Sequence, residues 1–379
     1  MYPGFDNCGL AGCDRPLNMH RVSCPICLDV PYDDIFSTRS NYGYCCVRHL
    51  FAGQYAHAQE CRIRVLWRSL LRIADIYNML FMCYRTTLFL HQVLNERTDH
   101  EGDLEIFLGP SRLLGKDWWD PETTSLHGIL GVLSFDWCRG SIALLSPVLI
   151  WLLQGRVTPN SIVISKLTSG VGLSVRIEEK VLQPMPKLSK QWVYSWLHRP
   201  YKIASHHYVV TITPLLPSST PLQSLTLDAS SMQYGRRIKS HRTSQYTVKR
   251  IQPWTSETKA FGYTYKEWAG TDTVTKRDIK ESQGFRLTHI AARTMKGTVW
   301  REVRRLGGRE KLLQMGHLEF IRARDRMGRV VCGKLRQLRP DFEEIVAARG
   351  LLDFKLEQML AVPDGPGHVE MTNALEPYL

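Results

Sequence analysis

The feature that most constrains this chain is a cluster of cysteines near its N-terminus. Seven of the ten cysteines lie within the first 61 residues. Cys24-Pro-Ile-Cys27 has a two-residue gap, which lets both sulfurs face one tetrahedral ion, and Cys46-Val-Arg-His49 repeats that gap. Two such pairs supply the four ligands that a zinc site needs. The simplest prediction is one structural Zn²⁺ held by Cys24, Cys27, Cys46 and His49.

Further potential ligands lie close to this set and leave a second arrangement open. Four pairs in chain order could make two cross-braced zinc sites, namely Cys8/Cys13, Cys24/Cys27, Cys45/His49 and His57/Cys61. Buried free thiols are the alternative without metal, because cysteine also behaves as a small hydrophobe. Disulfides are less favoured, since the sequence has no apolar signal segment after Met1 and no Asn-x-Ser/Thr acceptor.

Length and composition predict a folded protein that buries a core. The chain has 379 residues, of which 44% are hydrophobic and 22% charged, as is usual for globular proteins. We predict a mixed α+β fold with two lobes, built around a long central helix with an N-terminal structural zinc site. The predicted parts are a zinc-binding small lobe with the long helix (1–95), a mixed helix and strand part of the large lobe (96–235), a basic part of the large lobe (236–339) and an acidic C-terminal tail (340–379).

Hydrophobic periodicity predicts the long helix from Arg62 to Asn95. Its apolar positions alternate in steps of three and four residues, as one helix face requires. This seam consists of Leu66, Leu70, Ile73, Tyr77, Leu80, Tyr84, Leu88 and His91. A second stripe of Arg64, Arg68 and Arg72 is expected to be a solvated face or a contact with a partner.

Two later regions have their own patterns. The uncharged run 140–155 is shorter than the roughly 20 residues that a membrane span needs, so it predicts a buried helix and no stable membrane insertion. Strands are predicted at 162–164, 173–177 and 208–213, where β-branched and aromatic residues are frequent. A helix with acidic and apolar faces is predicted from Phe342 to Leu360.

The net charge of +13 is concentrated in one region. Residues 236–311 contain 19 Lys and Arg against 7 Asp and Glu, and aromatic residues are interleaved with them. Spread positive charge binds phosphate backbones, so the region predicts anion binding with nucleic acid as the expected anion, and an acidic protein partner stays open as the alternative. Without a recognisable base-reading helix, binding would depend on duplex shape and backbone. The candidate nucleic-acid-binding residues are Arg236, Arg237, Lys239, Arg242, Arg293, Lys296, Arg301, Arg304 and Arg305.

No familiar catalytic motif occurs in the sequence. It lacks the GxxxxGK phosphate loop, GxGxxG, HExxH and the GxSxG elbow. The CxxC pair lacks the βαβ pattern that surrounds a thioredoxin-like redox site. The sequence therefore predicts a protein that is not an enzyme.

Three stretches in order resemble the zinc-containing outer-capsid sigma proteins of orthoreoviruses, sigma-three and the avian sigma-B. They are Cys24-Pro-Ile-Cys27-Leu-Asp-Val, then Arg97-Thr-Asp-His-Glu-Gly-Asp-Leu-Glu with Trp119-Asp-Pro121, and Phe285-Arg-Leu-Thr-His-Ile-Ala-Ala-Arg-Thr294 before the basic segment. The second ligand pair departs from the family, where His-x-Cys is usual and this chain has Cys-x2-His. The order of the three stretches carries the resemblance.

The resemblance implies a viral structural protein of the virion outer capsid and the host cytoplasm. Such a protein caps and protects the viral membrane-penetration protein, is removed by proteolysis on entry, and binds double-stranded RNA in its interaction with the host. It also implies that zinc is held by the four predicted ligands. The RNA role would fall most directly on Lys296, Arg301, Arg304 and Arg305, and a homodimer is a further expected partner.

A cellular zinc-binding adaptor is the alternative function. The spacing Cys45-x3-His49-x7-His57-x3-Cys61 is similar to that of MYND modules, whereas the RING pattern lacks its final CxxC. Such an adaptor would use the basic region to dock an acidic partner.

Overall fold

The computed structural model describes the chain in separate stretches. They are residues 8–15, 22–24, 43–88, 91–98, 104–111, 133, 138–153, 155–158, 161–164, 173–182, 191–194, 200–201, 206–215, 224–230, 241–243, 257–270 and 279–341. The helix predicted for residues 342–360 lies outside them. Over the described residues the fold is a mixture of helices and largely antiparallel sheets, consistent with the predicted α+β class.

The long helix is present as α1 (Val47–Leu88), which begins well before the predicted start at Arg62. It ends at Leu88, so the predicted end at Asn95 was wrong: His91, expected in the seam, begins strand β3 (His91–Thr98). The predicted seam is buried throughout the helix, from Leu66 to Leu88. Gly53 lies inside the helix where the Tyr44 ring packs closely: a Cβ there would be 2.5 Å from Tyr44 Cε1. Glycine therefore permits this contact, at a cost to helix stability of about 0.5–1 kcal/mol relative to alanine.

The arginine stripe of α1 is not a solvated face, contrary to that expectation. Arg64, Arg68 and Arg72 are only 6%, 5% and 4% exposed. Arg72 Nη1 donates a hydrogen bond to the Leu313 carbonyl oxygen at 2.8 Å, and its guanidinium lies 4.9 Å from the Phe320 ring centroid. An amphipathic pattern marks which residues are apolar, and it cannot tell that residues from much later in the chain cover Arg72.

The uncharged run forms a buried helix as predicted, α2 (Cys138–Leu153), with Pro147 inside it. Most of its residues are buried, and α2 packs against α1 and against strand β10 (His207–Leu215). No helix in the described part of the chain is long and apolar enough to cross a membrane.

The sheets follow the predicted strands closely. In the largest sheet, β10 pairs antiparallel with β7 (Leu173–Leu182) and with β11 (Leu225–Leu227), while β6 (Ser161–Ile164) extends it beyond β7. The outer strands are β5 (Gly155–Thr158), β12 (His241–Arg242) and β13 (Glu257–Ala260). A second sheet contains β3, β4 (Leu104–Ser111), β8 (Gln191–Tyr194) and β9 (Pro200–Tyr201), and β1 (Val22–Ser23) pairs with β2 (Gly43–Tyr44).

The C-terminal described region is helical. Its helices are α3 (Tyr263–Gly270), α4 (Ile279–Arg305), α5 (Arg309–Gln314) and α6 (His317–Arg336). One hydrophobic cluster joins α1, α2, β7, β10 and β11 to the buried faces of α4, α5 and α6. The basic region therefore presents its charges from helices that are fixed by this common core.

Candidate metal centres

The first cluster of potential metal ligands forms at the N-terminus of α1. Cys45 precedes the helix and His49 lies in its first turn, and this four-residue spacing puts both on one helix face. Cys45 Sγ and Cys8 Sγ lie 3.1 and 3.5 Å from His49 Nδ1, and Cys13 Sγ lies 4.0 Å from Cys45 Sγ. All four ligand atoms are within 4.8 Å of one another.

Backbone hydrogen bonds hold the N-terminal half of this cluster. The Cys8 N–H bonds to the Arg15 carbonyl at 2.9 Å, which closes residues 8–15 into a compact loop. Within it, the Cys13 N–H bonds back to Leu10, and Gly12 takes a φ of 81°, a left-handed conformation that glycine adopts readily. The Gly9 N–H bonds to the Gly43 carbonyl, which ties this loop to β2 just before Cys45.

The first cluster has the electrostatics of a cation site. Burial tends to raise the pKa of the Cys8 thiol, but hydrogen bonds from the Leu10 and Cys45 backbone, with further contacts to His49 and Cys13, lower this pKa to about 6. Burial and the neighbouring Cys8 and Cys13 raise the pKa of Cys45 to about 12. Cys8 therefore ionises readily, and its negative charge makes ionisation of Cys45 unfavourable. A bound dication would remove this repulsion between the two sulfurs.

The second cluster lies further along α1 and is fully buried. His57 and Cys61 are again four residues apart, and Cys24, which follows β1, reaches them from the N-terminal region. The Cys24 and Cys61 sulfurs are 3.8 Å apart. Val65 and Leu50 pack around these thiols. Cys27, whose two-residue spacing from Cys24 would make it the fourth ligand, lies outside the described residues.

Most of the ligand distances fit tetrahedral zinc, and the Cys45–His49 pair at 3.1 Å is shorter. With Zn–S bonds of about 2.3 Å and Zn–N bonds of about 2.0 Å, tetrahedral angles put two sulfurs about 3.8 Å apart and a sulfur and nitrogen about 3.5 Å apart. The sulfur pairs at 3.8 and 4.0 Å and the Cys8–His49 pair at 3.5 Å lie close to these values. None of the nine described cysteines forms a disulfide, so no disulfide competes for these sulfurs among them. Both groups could therefore hold a metal ion.

The two ligand sets are interleaved along the sequence. The loop with Cys8 and Cys13 joins the pair Cys45/His49, whereas the later Cys24 joins the pair His57/Cys61. Eight residues separate His49 from His57, which is about 12 Å along a helix axis. This crossing order is the cross-braced arrangement that the sequence left open.

Two of the four ligands predicted for a single site fall in different groups among the described residues. Cys24 belongs to the second cluster and His49 to the first, while Cys46 is in neither of the groups found among the described residues. Cys27 lies outside those residues. The signal that identifies the observed sets is the repeated four-residue spacing of Cys45/His49 and His57/Cys61, which matches the helix period.

The candidate nucleic-acid-binding residues are described only in part. On α4, five of them are exposed, namely Arg293, Lys296, Arg301, Arg304 and Arg305. Arg236, Arg237 and Lys239 lie outside the described residues, and Arg242 is placed in β12 without a described side chain. The structure thus presents five of the nine predicted residues on a single helix.

The α4 surface continues onto α6, which the sequence analysis did not single out. Arg322, Arg326 and Arg329 form an exposed stripe on α6. Glu302 Oε2 links the helices, because it lies 3.0 Å from Arg305 Nη2 and 3.6 Å from Arg326 Nε. The sequence signal for this extension of the surface was the excess of basic residues in 312–339. Only the packing of α4 against α6 shows that the charges of the two helices adjoin.

An exposed aromatic side chain lies within this basic surface. Trp300 is 44% exposed, and the Arg304 guanidinium lies 5.3 Å from the centroid of its rings. Lys296, Trp300 and Arg304 share one face of α4 at four-residue intervals. The face therefore combines positive charge with an aromatic surface, as polyanion-binding surfaces do.

No protein-family model, curated protein or solved structure matches this chain. The resemblance to outer-capsid sigma proteins, and the viral role that it implies, therefore stay predictions.

Proposed function

We propose that this protein is a zinc-stabilised interaction adaptor whose N-terminal region is cross-braced by two structural Zn²⁺ ions. The interleaving of the two ligand sets carries this proposal. The first set offers four protein ligands, and the second would have four if Cys27 joined it; sites closed by four protein ligands are structural. The ions would fix the N-terminal segments to α1, because metal-binding free energy contributes directly to folding in sites of this kind.

Metal analysis of three variants tests the two-ion arrangement. We expect two zinc ions per chain in the wild type, one in Cys13→Ser and one in His57→Ala. Cys46→Ser is the matched control. It replaces a thiol beside the first cluster by a hydroxyl of similar volume, at a residue that belongs to neither ligand group, and this variant should keep both ions. One ion that survives His57→Ala and disappears in Cys46→Ser would instead establish the single site of Cys24, Cys27, Cys46 and His49.

The partner of this adaptor is proposed to be a polyanion, with duplex RNA preferred, bound on the exposed face of α4 and α6. The support is the row of exposed basic residues on α4, the adjoining arginines of α6 and the Arg304–Trp300 contact. These side chains project from a helix pair whose other faces are buried in the core. A fixed array of charges suits the regular spacing of phosphates in a duplex.

Fluorescence anisotropy with labelled RNA tests this surface. The triple variant Lys296→Gln, Arg301→Gln and Arg304→Gln should weaken duplex RNA binding by at least about tenfold and reduce the salt dependence by about three phosphate contacts. Arg176→Gln, an exposed arginine of β7, is the control and should bind as the wild type does. Equal binding of duplex RNA, duplex DNA and heparin would favour an acidic protein partner.

A viral outer-capsid protector is the second proposal, and the exposed basic face of α4 is the observation that favours it. Lys296, Arg301, Arg304 and Arg305, which the resemblance assigns to RNA binding, all lie on this face. Co-expression with a viral membrane-penetration protein distinguishes the two proposals. A stable stoichiometric complex supports the capsid role, whereas the adaptor role predicts none.

A further inference from the structure

The described chain turns directly after α6, the helix that carries the arginine stripe of the basic surface. The helix α6 ends at Arg336, and the two residues Gln337 and Leu338 form a turn. A helical conformation resumes at residues 339–341, with Pro340 in the first turn, where proline is favoured. A two-residue connection between helices is typical of antiparallel neighbours. We therefore expect the chain that continues from this turn to run back along α6.

The turn is held by hydrogen bonds and by the core. The Leu338 N–H donates a hydrogen bond to the Leu335 carbonyl oxygen at 2.9 Å, and the Leu338 side chain packs against the main hydrophobic cluster. Lys334 Nζ donates to the Gln337 side-chain oxygen at 3.3 Å. Because these contacts fix the turn, the direction in which the chain leaves α6 is set by the fold.

The chain beyond the turn has the charge opposite to that of the basic surface. Residues 340–379 contain eight Asp and Glu against two Lys and Arg. On α6, Arg326 Nε lies 3.6 Å from Glu302 Oε2, whereas Arg322 and Arg329 have no acidic partner among the described residues. An isolated surface ion pair contributes little, but several pairs between segments that a short connection holds together benefit from a high effective concentration.

The basic surface also exposes apolar side chains that an amphipathic helix can cover. Leu318 is 72% exposed, and Arg322 follows it one turn later on the same face of α6. Trp300 is exposed on α4. The helix predicted from Phe342 to Leu360 has an apolar face beside an acidic one. It therefore complements this surface both in charge and in apolar contact.

The predicted helix also has the length to span α6. From Leu318 to Arg336, α6 rises by about 27 Å at 1.5 Å per residue, and a helix over 342–360 rises by the same amount. At about 100° per residue, its acidic side chains at 343, 353 and 357 fall within about 80° of one another around the helix. An antiparallel helix would therefore carry one acidic stripe from the turn to the exposed Leu318.

We propose that the acidic C-terminal tail docks through residues 342–360 on the basic surface of α4 and α6 in the same chain, and competes there with the polyanion. Glu343, Asp353 and Glu357 pair with the α6 arginines, while the apolar face of the tail covers Leu318. A polyanion then binds only where it displaces the tail, which favours long duplexes with many phosphates over small anions. The competition rests on the proposed polyanion binding, whereas the docking itself does not.

Carbodiimide cross-linking of the zinc-loaded full chain without RNA, followed by mass spectrometry, is the first test. The reagent joins a carboxylate to an amine in contact with it. We expect links from the tail to Lys296 of α4 and Lys334 of α6, and none to Lys266, an exposed lysine of α3. Arg322→Gln with Arg329→Gln, which leaves every linkable group in place, should reduce these links at least about fivefold. Mixing isotope-labelled and unlabelled protein separates links within a chain from links between chains.

Duplex RNA binding of tail variants, measured by fluorescence anisotropy, is the second test. The variant with Glu343→Gln, Asp353→Asn and Glu357→Gln should bind at least about fivefold more tightly than the wild type at low salt, and this gain should shrink as salt screens the tail. A full chain with residues 342–360 reordered at unchanged composition separates docking from simple charge repulsion. It should bind RNA as tightly as the neutralised variant, because reordering destroys the acidic stripe and keeps the charge.

The outcomes separate this proposal from the RNA-binding proposal. Tail links that are absent from Lys296 and Lys334, that are equally frequent at Lys266, or that form only between chains overturn the docking. Equal RNA affinity of wild type and neutralised variant, or wild-type affinity of the reordered chain, overturns the competition. The triple variant of Lys296, Arg301 and Arg304 decides RNA binding separately. Links within a chain that binds no duplex RNA would support the docking and refute the RNA role.

Discussion

Replacing Arg72 by methionine tests whether a buried arginine of α1 stabilises the fold through its two contacts. Arg72 Nη1 donates to the Leu313 carbonyl at 2.8 Å, and the guanidinium lies 4.9 Å from the Phe320 ring centroid. These contacts connect α1 to helices α5 and α6, which lie far along the chain. Methionine retains much of the apolar stem, so the change mainly removes the charged group.

The expected loss follows from these contacts. A hydrogen bond from a charged donor contributes about 1.5–3 kcal/mol, and a desolvated cation–π contact contributes about 2 kcal/mol. The two contacts share one guanidinium and are not fully additive. Removing a buried charge also recovers part of its desolvation cost. We therefore expect the free energy of unfolding to fall by about 3 kcal/mol.

Urea unfolding monitored by circular dichroism measures this loss. Arg293→Met is the matched control, because Arg293 is exposed on α4 and its replacement should change stability by less than about 0.5 kcal/mol. Phe320→Leu and the double variant complete a thermodynamic cycle. We expect a coupling between Arg72 and Phe320 of about 1 kcal/mol.

A stability of Arg72→Met equal to or above that of the wild type would refute this reasoning. It would mean that the desolvation cost of the buried guanidinium cancels both contacts, as occurs for some buried ion pairs. A coupling near zero with a large single-variant loss would assign the effect to the Leu313 hydrogen bond alone.

Two further predictions concern buried polar groups. The Glu179 carboxylate accepts hydrogen bonds from the Gly262 N–H at 2.7 Å and from the Thr264 N–H at 3.0 Å. Glu179→Gln should therefore lower the free energy of unfolding, measured in urea, by about 2 kcal/mol. An unchanged free energy of unfolding would contradict this role. For His207, the pKa of about 10 in the folded chain lies above the unfolded value of 6.5, so its stabilising contribution is complete below about pH 6.5 and is lost as the pH rises toward 10. The difference in unfolding free energy between wild type and His207→Gln should therefore shrink from pH 6.5 to 9.5, by at most about 1.4 kcal/mol per pH unit, and a widening difference would show the opposite sign of linkage.

The sequence indicated the metal-binding region but not how its ligands are shared. The pairs Cys45/His49 and His57/Cys61 can be recognised because their four-residue spacing matches one turn of α1. Which N-terminal thiol joins which pair depends on the path of the chain, including the hydrogen bond from Gly9 to Gly43 that brings the first loop to β2. Loop paths have no sequence period, so the single-site and two-site arrangements stayed open.

In the basic region, too, the sequence predicted part of the surface and only the tertiary structure showed the rest. The charge excess and the exposed face of α4 follow from composition and helical periodicity. Its continuation onto α6 depends on helix packing, with Glu302 between Arg305 and Arg326. Burial of Arg72 likewise depends on helices α5 and α6, which lie more than 200 residues later in the chain, and a pattern within α1 carries no information about them.

By itself, the sequence determined the properties that repeat locally: the long helix, the buried helix α2, the strands β6, β7 and β10, the thiol-rich N-terminus and the basic region. These follow from the fixed periods of helices and strands and from the chemistry of adjacent side chains. Only the tertiary structure decided which ligands share a cluster, which arginines are buried, and that His207 and Asp228 meet. Such contacts join residues that no local period relates, because they form only when the hydrophobic core brings distant segments together.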